Sequence, residues 1–163
     1  LVKAVEMNPN LAGPLSNLGA AYHGMGEHEK AVEYLLRAIE LRPNYGEAYS
    51  NLGAAYHSLG QYEKAIESIR QVISISPDLA DGFAYMNLGA AYHSLGKYDD
   101  AVKYLKEAVK RSPNLTDAHF NLGTAFVMSK RPTEAKPHFL KVLRLNPNDP
   151  QAPMIRQWLR ANP

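Results

Sequence analysis

The chain has 163 residues, of which 45% are hydrophobic, and this is enough to bury a substantial core. Its 18 basic and 16 acidic side chains give a net charge of only +2, so charge indicates neither nucleic acid nor a membrane as a partner. The absence of cysteine excludes disulfides, thiolate zinc sites and a cysteine nucleophile, and no signal peptide or membrane-length apolar run is present.

A repeated segment organises the sequence. The letters NLGAAYH occur at residues 17–23, 51–57 and 87–93, and the Leu-Gly pair returns at residues 122–123. The pairs are therefore spaced by 34, 36 and 34 residues. An alanine lies 12 residues after each glycine, and a proline follows each pair by 24 or 25 residues. This periodicity predicts a repeat protein in which each unit contains two helices.

The predicted elements alternate along the chain. The first helices of the four units are expected at about 12–25, 46–59, 82–95 and 116–129, and the second helices at about 28–41, 62–75, 98–111 and 132–145. Residues 1–11 are expected to form the end of a truncated earlier unit and residues 150–163 a capping helix, which gives about ten helices. Asp149 is expected as the N-cap of the last helix and Pro150 as its first residue. Met154, Ile155, Trp158 and Leu159 would cover the last unit.

The turns inside the units and the connections between units are also predictable from the sequence. Gly26, Gly60 and Gly96 suit a helix C-terminus with positive φ, whereas Lys130 takes that conformation only with strain. The 36-residue step requires two additional residues before Leu88. We expect them around 78–82, and a kink at Tyr85–Met86 is the alternative.

This pattern resembles the tetratricopeptide repeat, whose units carry Leu-Gly, Tyr, Gly, Ala, Ala and Pro at fixed places. The resemblance covers essentially the whole chain, with units at 12–45, 46–79, 82–115 and 116–149. It implies an all-α, right-handed superhelical solenoid of antiparallel helix pairs, in which the first helices line a concave groove. Only the fourth unit departs from the pattern, with His119 in a large apolar position and Lys130 in place of the turn glycine.

A glycine inside a helix costs about 0.5–1 kcal/mol relative to alanine, so four of them in one register need a compensating gain. We expect Gly19 and Ala31, with their equivalents in the other units, to bring the two helices of a unit close together. A phosphate-binding loop is excluded because these glycines lie within helices and no Lys-Ser/Thr follows.

The face opposite the predicted core is the candidate binding site. Asparagines and histidines form its two polar rims, and alanines form the floor between them. The candidate groove residues are Asn17, Asn51, Asn87, Asn121, His23, His57, His93, Ser16, Ser50, Ala20, Ala54 and Ala90. A carboxamide pairs with both N–H and C=O of a peptide backbone. The asparagines resemble the ladder in the repeat domain of O-linked N-acetylglucosamine transferase, although asparagine is also common at this place in the family.

Metal binding by the histidines is a weaker hypothesis. Equivalent residues on neighbouring units are expected about 8–10 Å apart, too far for one ion, and no second ligand lies one turn away. We therefore expect no metal, no cofactor, and neutral imidazoles that titrate near pH 6–7. No catalytic constellation is present.

The preferred function is a non-enzymatic scaffold that binds an extended peptide or protein segment. A carboxylate clamp is not expected, because the clamp positions carry Gly13, Ser16, Asn17, Glu47, Ser50 and Asn51. Two alternatives stay open. The chain is the substrate-recognition arm of a larger enzyme such as a glycosyltransferase, or it self-assembles through the uncapped N-terminal half-repeat around Leu1 and Val5, aided by an acidic first part and a basic last part.

Overall fold

The computed structural model describes residues 10–75, 77 and 81–163, which contain nine α-helices and no strand. The expectation about Leu1 and Val5, and the tenth helix, fall outside these residues. The helices are α1 (Ala12–Gly24), α2 (His28–Leu41), α3 (Gly46–Ser58), α4 (Tyr62–Ile75), α5 (Gly82–Ser94), α6 (Tyr98–Arg111), α7 (Thr116–Met128), α8 (Pro132–Leu145) and α9 (Ala152–Ala161). The all-α helical repeat predicted from the sequence is confirmed.

The chain divides into two compact units between residues 80 and 81. In the first unit, α1 packs against α2, α3 packs against α4, and α3 also contacts both α1 and α2. Leu15, Leu35, Ala38 and Ala48 have no exposed surface in its core. These residues alternate between first and second helices, so the core is formed by the helix pairs together.

The second unit repeats this arrangement and adds a helix. Here α5 packs against α6, α7 packs against α8, and α7 contacts both α5 and α6. Leu88, Leu105 and Leu122 are fully buried, and Phe126 is almost so. The last helix, α9, packs on α8.

The repeated glycines lie where the paired helices approach most closely. A Cβ atom on Gly19 would lie 2.6 Å from Cγ of Leu35 and 3.1 Å from the carbonyl oxygen of Ala31. The equivalent contact distances are 2.8 Å at Gly53 and 2.5 Å at Gly89. Any larger residue would push the helices apart, which explains why glycine occupies a helix interior.

The turns between paired helices use left-handed backbone. Gly26, Gly60 and Gly96 have φ values of 81°, 71° and 71°. Lys130 occupies the same turn of the fourth repeat with φ of 61°. The backbone of Lys130 is therefore strained by its Cβ atom, which the glycines of the first three repeats lack.

The long connection lies between the two units. Helix α4 ends at Ile75 and α5 begins at Gly82, so residues 76–81 connect them, two more than in the connections 42–45 and 112–115. Asp81 caps α5 by accepting a hydrogen bond from the backbone N–H of Ala84 at 3.1 Å. The helix is unbroken at Tyr85 and Met86.

The predicted start of the last helix is wrong by two residues. Helix α9 begins at Ala152, and its N-cap is Gln151 rather than Asp149. Asp149 is instead buried in the preceding turn, where Oδ1 accepts from the backbone N–H of Gln151 at 3.0 Å. Its carbonyl oxygen accepts from the N–H of Ala152 at 2.8 Å. The carboxylate thus stabilises the turn that aims α9, and Pro153 rather than Pro150 occupies the first helical turn.

Candidate functional site

Each of the four first helices in the described chain carries one asparagine on its solvent side. Asn17 is exposed, and Asn51, Asn87 and Asn121 are partly exposed. Among the described residues, none of these four carboxamides has a hydrogen-bond partner, and none is buried without one. Their donors and acceptors are therefore available to a bound molecule.

The floor beside the asparagines is formed by small residues. Ala20, Ala54 and Ala90 are all partly exposed, as the helical pattern predicts. Thr124 takes the same register in the fourth repeat, and its hydroxyl donates to the carbonyl oxygen of Asn121 at 2.9 Å. The sequence analysis did not include Thr124, although its place directly after Gly123 gives the register.

The histidines each pack against an aromatic ring at the start of the next helix. His23 lies against His28, with ring centroids 5.0 Å apart and the two Nδ1 atoms 3.1 Å apart. His57 and His93 contact the rings of two tyrosines, each five residues later, in edge geometry at 5.2 Å. These contacts hold the imidazoles in place at one side of the alanine floor. The pairing was missed because only the i, i+5 spacing across a turn signals it.

Burial changes the expected titration of these histidines. It lowers the pKa of His57 and His93 below the ordinary 6.5. Burial lowers the pKa of His23 as well, and the neighbouring His28 adds to this effect. Each imidazole is consequently protonated less readily than a free histidine, which favours the neutral form at pH 7.

The structure places the two candidate serines differently. Ser50 is partly exposed beside Asn51. Ser16 has no exposed surface, and its hydroxyl has no hydrogen-bond partner among the residues that the structure describes. The prediction that Ser16 lines the groove is therefore wrong. It follows Leu15 on the edge of the buried stripe, where a rotation of about 100° per residue does not separate the two faces cleanly.

The candidate surface is almost uncharged. Among the four first helices, the charged residues are Glu47 and Asp117, both in first turns. The described ion pairs instead involve second helices and the turns before them, for example Lys106 with Glu134 at 3.9 Å. No group of three potential metal ligands occurs in the described residues. The surface is suited to neutral hydrogen bonding rather than to charge recognition.

Paired helices in a fixed register, with a neutral polar face repeated along them, define an α-helical repeat scaffold. Family models of the tetratricopeptide repeat match residues 10–78 and 46–114, and another such model matches residues 86–150. The chain therefore belongs to the tetratricopeptide repeat family.

Several solved structures are similar to this chain. A MamA fragment from Desulfovibrio magneticus RS-1 is 28% identical, with a TM-score of 0.81 over 90% of this chain and 81% of that one. YrrB, a TPR protein with an unusual peptide-binding site, is 26% identical, with a TM-score of 0.77 over 93% and 77%. PilF from Pseudomonas aeruginosa is 26% identical, with a TM-score of 0.81 over 93% and 68%. In a comparison with curated proteins, no sequence matches the chain.

These findings support a protein–protein interaction scaffold and indicate no catalytic family. Within residues 10–75 and 81–163, no helix combines the length and apolar character needed to span a bilayer.

Proposed function

We propose that the chain binds an extended segment of another protein along its first helices. In the first unit, Asn17 and Asn51 would hydrogen-bond the main chain of this segment, and in the second unit Asn87 and Asn121 would do so. The observation that carries the proposal is the availability of all four carboxamides, one per repeat, on an uncharged surface.

The chemistry of the four asparagine side chains explains why recognition would not depend on the sequence of the bound peptide. Every peptide unit offers one N–H donor and one C=O acceptor, and a carboxamide can pair with either. Ala20, Ala54 and Ala90 leave room for the chain beside the asparagines. The neutral histidines, held by their aromatic partners, would form the opposite wall. The peptide-binding site of the similar YrrB protein supports this assignment by analogy.

The test is an affinity titration with the best binder from a random library of extended peptides. The variants are Asn17→Ala/Asn51→Ala, Asn87→Ala/Asn121→Ala and the quadruple combination. Each hydrogen bond contributes about 0.5–1.5 kcal/mol net, so the quadruple variant should bind at least about 30-fold more weakly. Comparing the two double variants tells which unit holds the peptide.

The matched control is Asn44→Ala/Asn148→Ala, because both asparagines are exposed in turns and neither lies within a first helix. This control should bind like the wild type. Equal affinity in the wild type and the quadruple variant would remove the proposal.

Ionic strength separates this proposal from a charge-based site. Binding through carboxamides should change little between low and high salt. A steep loss of affinity with salt would instead point to the basic second helix around Lys103, Lys106, Lys110 and Arg111. In the structure, three of these four cations already contact Glu107 or Glu134.

A further inference from the structure

An apolar cavity of about 300 Å³ lies in the second unit, beside the candidate groove. Phe120, Thr124 and Val127 of α7 form one side, and Phe139 of α8 and Trp158 of α9 are among the residues that complete it. No charged side chain contributes to its lining. The cavity therefore selects against a charged occupant, whose desolvation would go uncompensated.

The cavity coincides with the place where the fourth repeat departs from the sequence of the first two. Phe120 stands in the register of Ser16 and Ser50, and Val127 stands in the register of His23 and His57. Thus two positions that are polar in the first two repeats become apolar in the repeat that contacts the capping helix. A general surface requirement of the repeat does not explain this change, because the first two repeats fold with polar residues there.

The mouth of the cavity carries adaptable apolar side chains. Met128 and Met154 line it and are 48% and 52% exposed, although apolar side chains of this size are usually buried. Methionine is flexible and polarisable, and it is used at surfaces that adjust to a partner. The lining also includes His93, whose Nε2 has neither accessible surface nor a hydrogen-bond partner among the described residues.

We propose that this cavity is an anchor pocket for one large uncharged side chain of the bound polypeptide, such as phenylalanine, leucine or methionine. The proposal rests on the proposed function, because Asn121 adjoins Phe120 in sequence and would hold the main chain next to the pocket. Continuity of the pocket with the groove favours a peptide anchor over a separate small molecule. A pocket of this volume accommodates a side chain and not a helix of a second copy.

The chain carries a reporter for this pocket, because Trp158 is its single tryptophan. The probe is a set of decapeptides with a background of Gly, Ser, Ala and Thr and no tryptophan. One position is varied over Phe, Leu, Met, Asp and Lys. Affinity is measured by calorimetry on the full chain, and Trp158 emission is recorded in the same titration. Peptides with Phe, Leu or Met should bind about 10-fold or more tightly than those with Asp or Lys and should shift the emission.

Two variants test the pocket itself. Thr124→Leu fills it and should abolish the preference for an apolar anchor, which is judged from the ratio of affinities for anchored and unanchored peptides because Thr124 also lies in the floor register. Met154→Ala removes an exposed residue of the mouth and should weaken anchored peptides several-fold without loss of folding. The matched control is Leu140→Ala, since Leu140 is 50% exposed in the same unit and does not line the cavity.

The outcomes separate the two proposals. If peptides bind and depend on the four asparagines, but anchor identity and Thr124→Leu have no effect, the anchor pocket is wrong and the ladder stands. If no peptide binds, both are wrong. If Trp158 emission shifts with protein concentration alone, a second copy occupies the cavity and the peptide anchor is overturned.

Discussion

His119 and His138 face each other within the fourth repeat, with their Nδ1 atoms 3.0 Å apart. The Nε2 of His119 lies 3.0 Å from the carbonyl oxygen of Pro113, which accepts a hydrogen bond and so places the proton of neutral His119 on Nε2. The Nδ1 of His119 is then an acceptor, and His138 must donate from its own Nδ1. This hydrogen bond needs at least one neutral ring as its acceptor, and burial of the pair disfavours a charge on either ring.

Acid should therefore destabilise the fourth repeat. Burial lowers the pKa of His138 from 6.5 to about 4, and His119 and Lys106 add to this effect against the opposing Glu134. Burial also lowers the pKa of His119, and the positive charges of Lys141 and Arg144 lower it further. Between pH 4 and pH 6.5 the unfolded chain binds more protons than the folded chain. The contribution of the neutral His138 to stability is therefore fully present above pH 6.5 and is lost as the pH falls toward 4. The expected loss from His138 is on the order of 2–3 kcal/mol, measured by urea unfolding at several pH values.

The third repeat supplies the control, because Tyr85 and Tyr104 occupy the equivalent positions. The variant His119→Tyr/His138→Tyr should lose less stability between pH 6.5 and 4 than the wild type. A residual acid dependence should remain, since the pKa values of His23, His57 and His93 are also lowered. Identical pH profiles in the two proteins would contradict the assignment to this pair.

Two glycines of the first helices should respond to alanine with opposite signs. A Cβ on Gly123 would lie 2.5 Å from Cε1 of Phe139, whose ring also packs in edge geometry with Trp158 at 4.9 Å between centroids. Gly123→Ala should cost about 1–3 kcal/mol through overpacking. A Cβ on Gly13 would have no atom of the described residues within 4 Å, so Gly13→Ala should gain about 0.5–1 kcal/mol. Thermal and urea unfolding measure the change in stability of both variants. A destabilising Gly13→Ala would show that helix propensity does not determine stability at residue 13.

Lys130 offers a stabilising substitution. Its φ of 61° lies in the left-handed region, which costs a residue with a Cβ roughly 1–2 kcal/mol. Lys130→Gly should raise the free energy of unfolding by about 1 kcal/mol, because part of the relief is offset by the greater freedom of glycine in the unfolded chain. The reciprocal change Gly96→Lys should destabilise by a similar amount, since nothing within 4 Å obstructs the side chain and only the backbone opposes it. Unchanged stability in both variants would exclude backbone strain as the cause.

The fold was predictable because its determinants are local and repeated. The Leu-Gly pairs mark the first helices, and the turn glycines mark their ends within a residue or two. Even the strain at Lys130 was visible, because the first three repeats show what the position requires. The start of α9 was misplaced because the sequence Asp149-Pro150 satisfies the rules for a helix N-terminus, while a buried turn uses the same aspartate differently.

The candidate site was less predictable, because it depends on contacts between helices. Helical periodicity placed the asparagines and alanines on the solvent side but assigned Ser16 to the wrong face. Neither the ring partners of the histidines nor the cavity beside Trp158 follows from periodicity, since each brings together residues from different helices. The sequence shows that Phe120 and Val127 replace polar residues of the first two repeats. Only the position of α9 shows that both line one cavity.

Asp149 connects the stability of the capping helix to the candidate site. Its side chain is 6% exposed, and besides the N–H of Gln151 it accepts from Nδ2 of Asn146 at 3.3 Å. Asp149→Ala would leave both donors without this partner at the turn that positions α9, at a cost of about 1–2 kcal/mol. Asp149→Asn retains an acceptor oxygen for the N–H of Gln151 and should lose less.

The position of Trp158 makes this effect local and measurable. Its ring packs on Phe139, so loosening of α9 should shift its emission to longer wavelength at denaturant concentrations below those that unfold the other helices, followed by circular dichroism. Asp117→Ala is the control, because this aspartate is exposed in the first turn of α7. We expect coincident fluorescence and circular dichroism transitions for the wild type and Asp117→Ala and separated transitions for Asp149→Ala. Coincident transitions in Asp149→Ala would mean that packing on α8 alone holds the capping helix, and that the buried carboxylate does not position it.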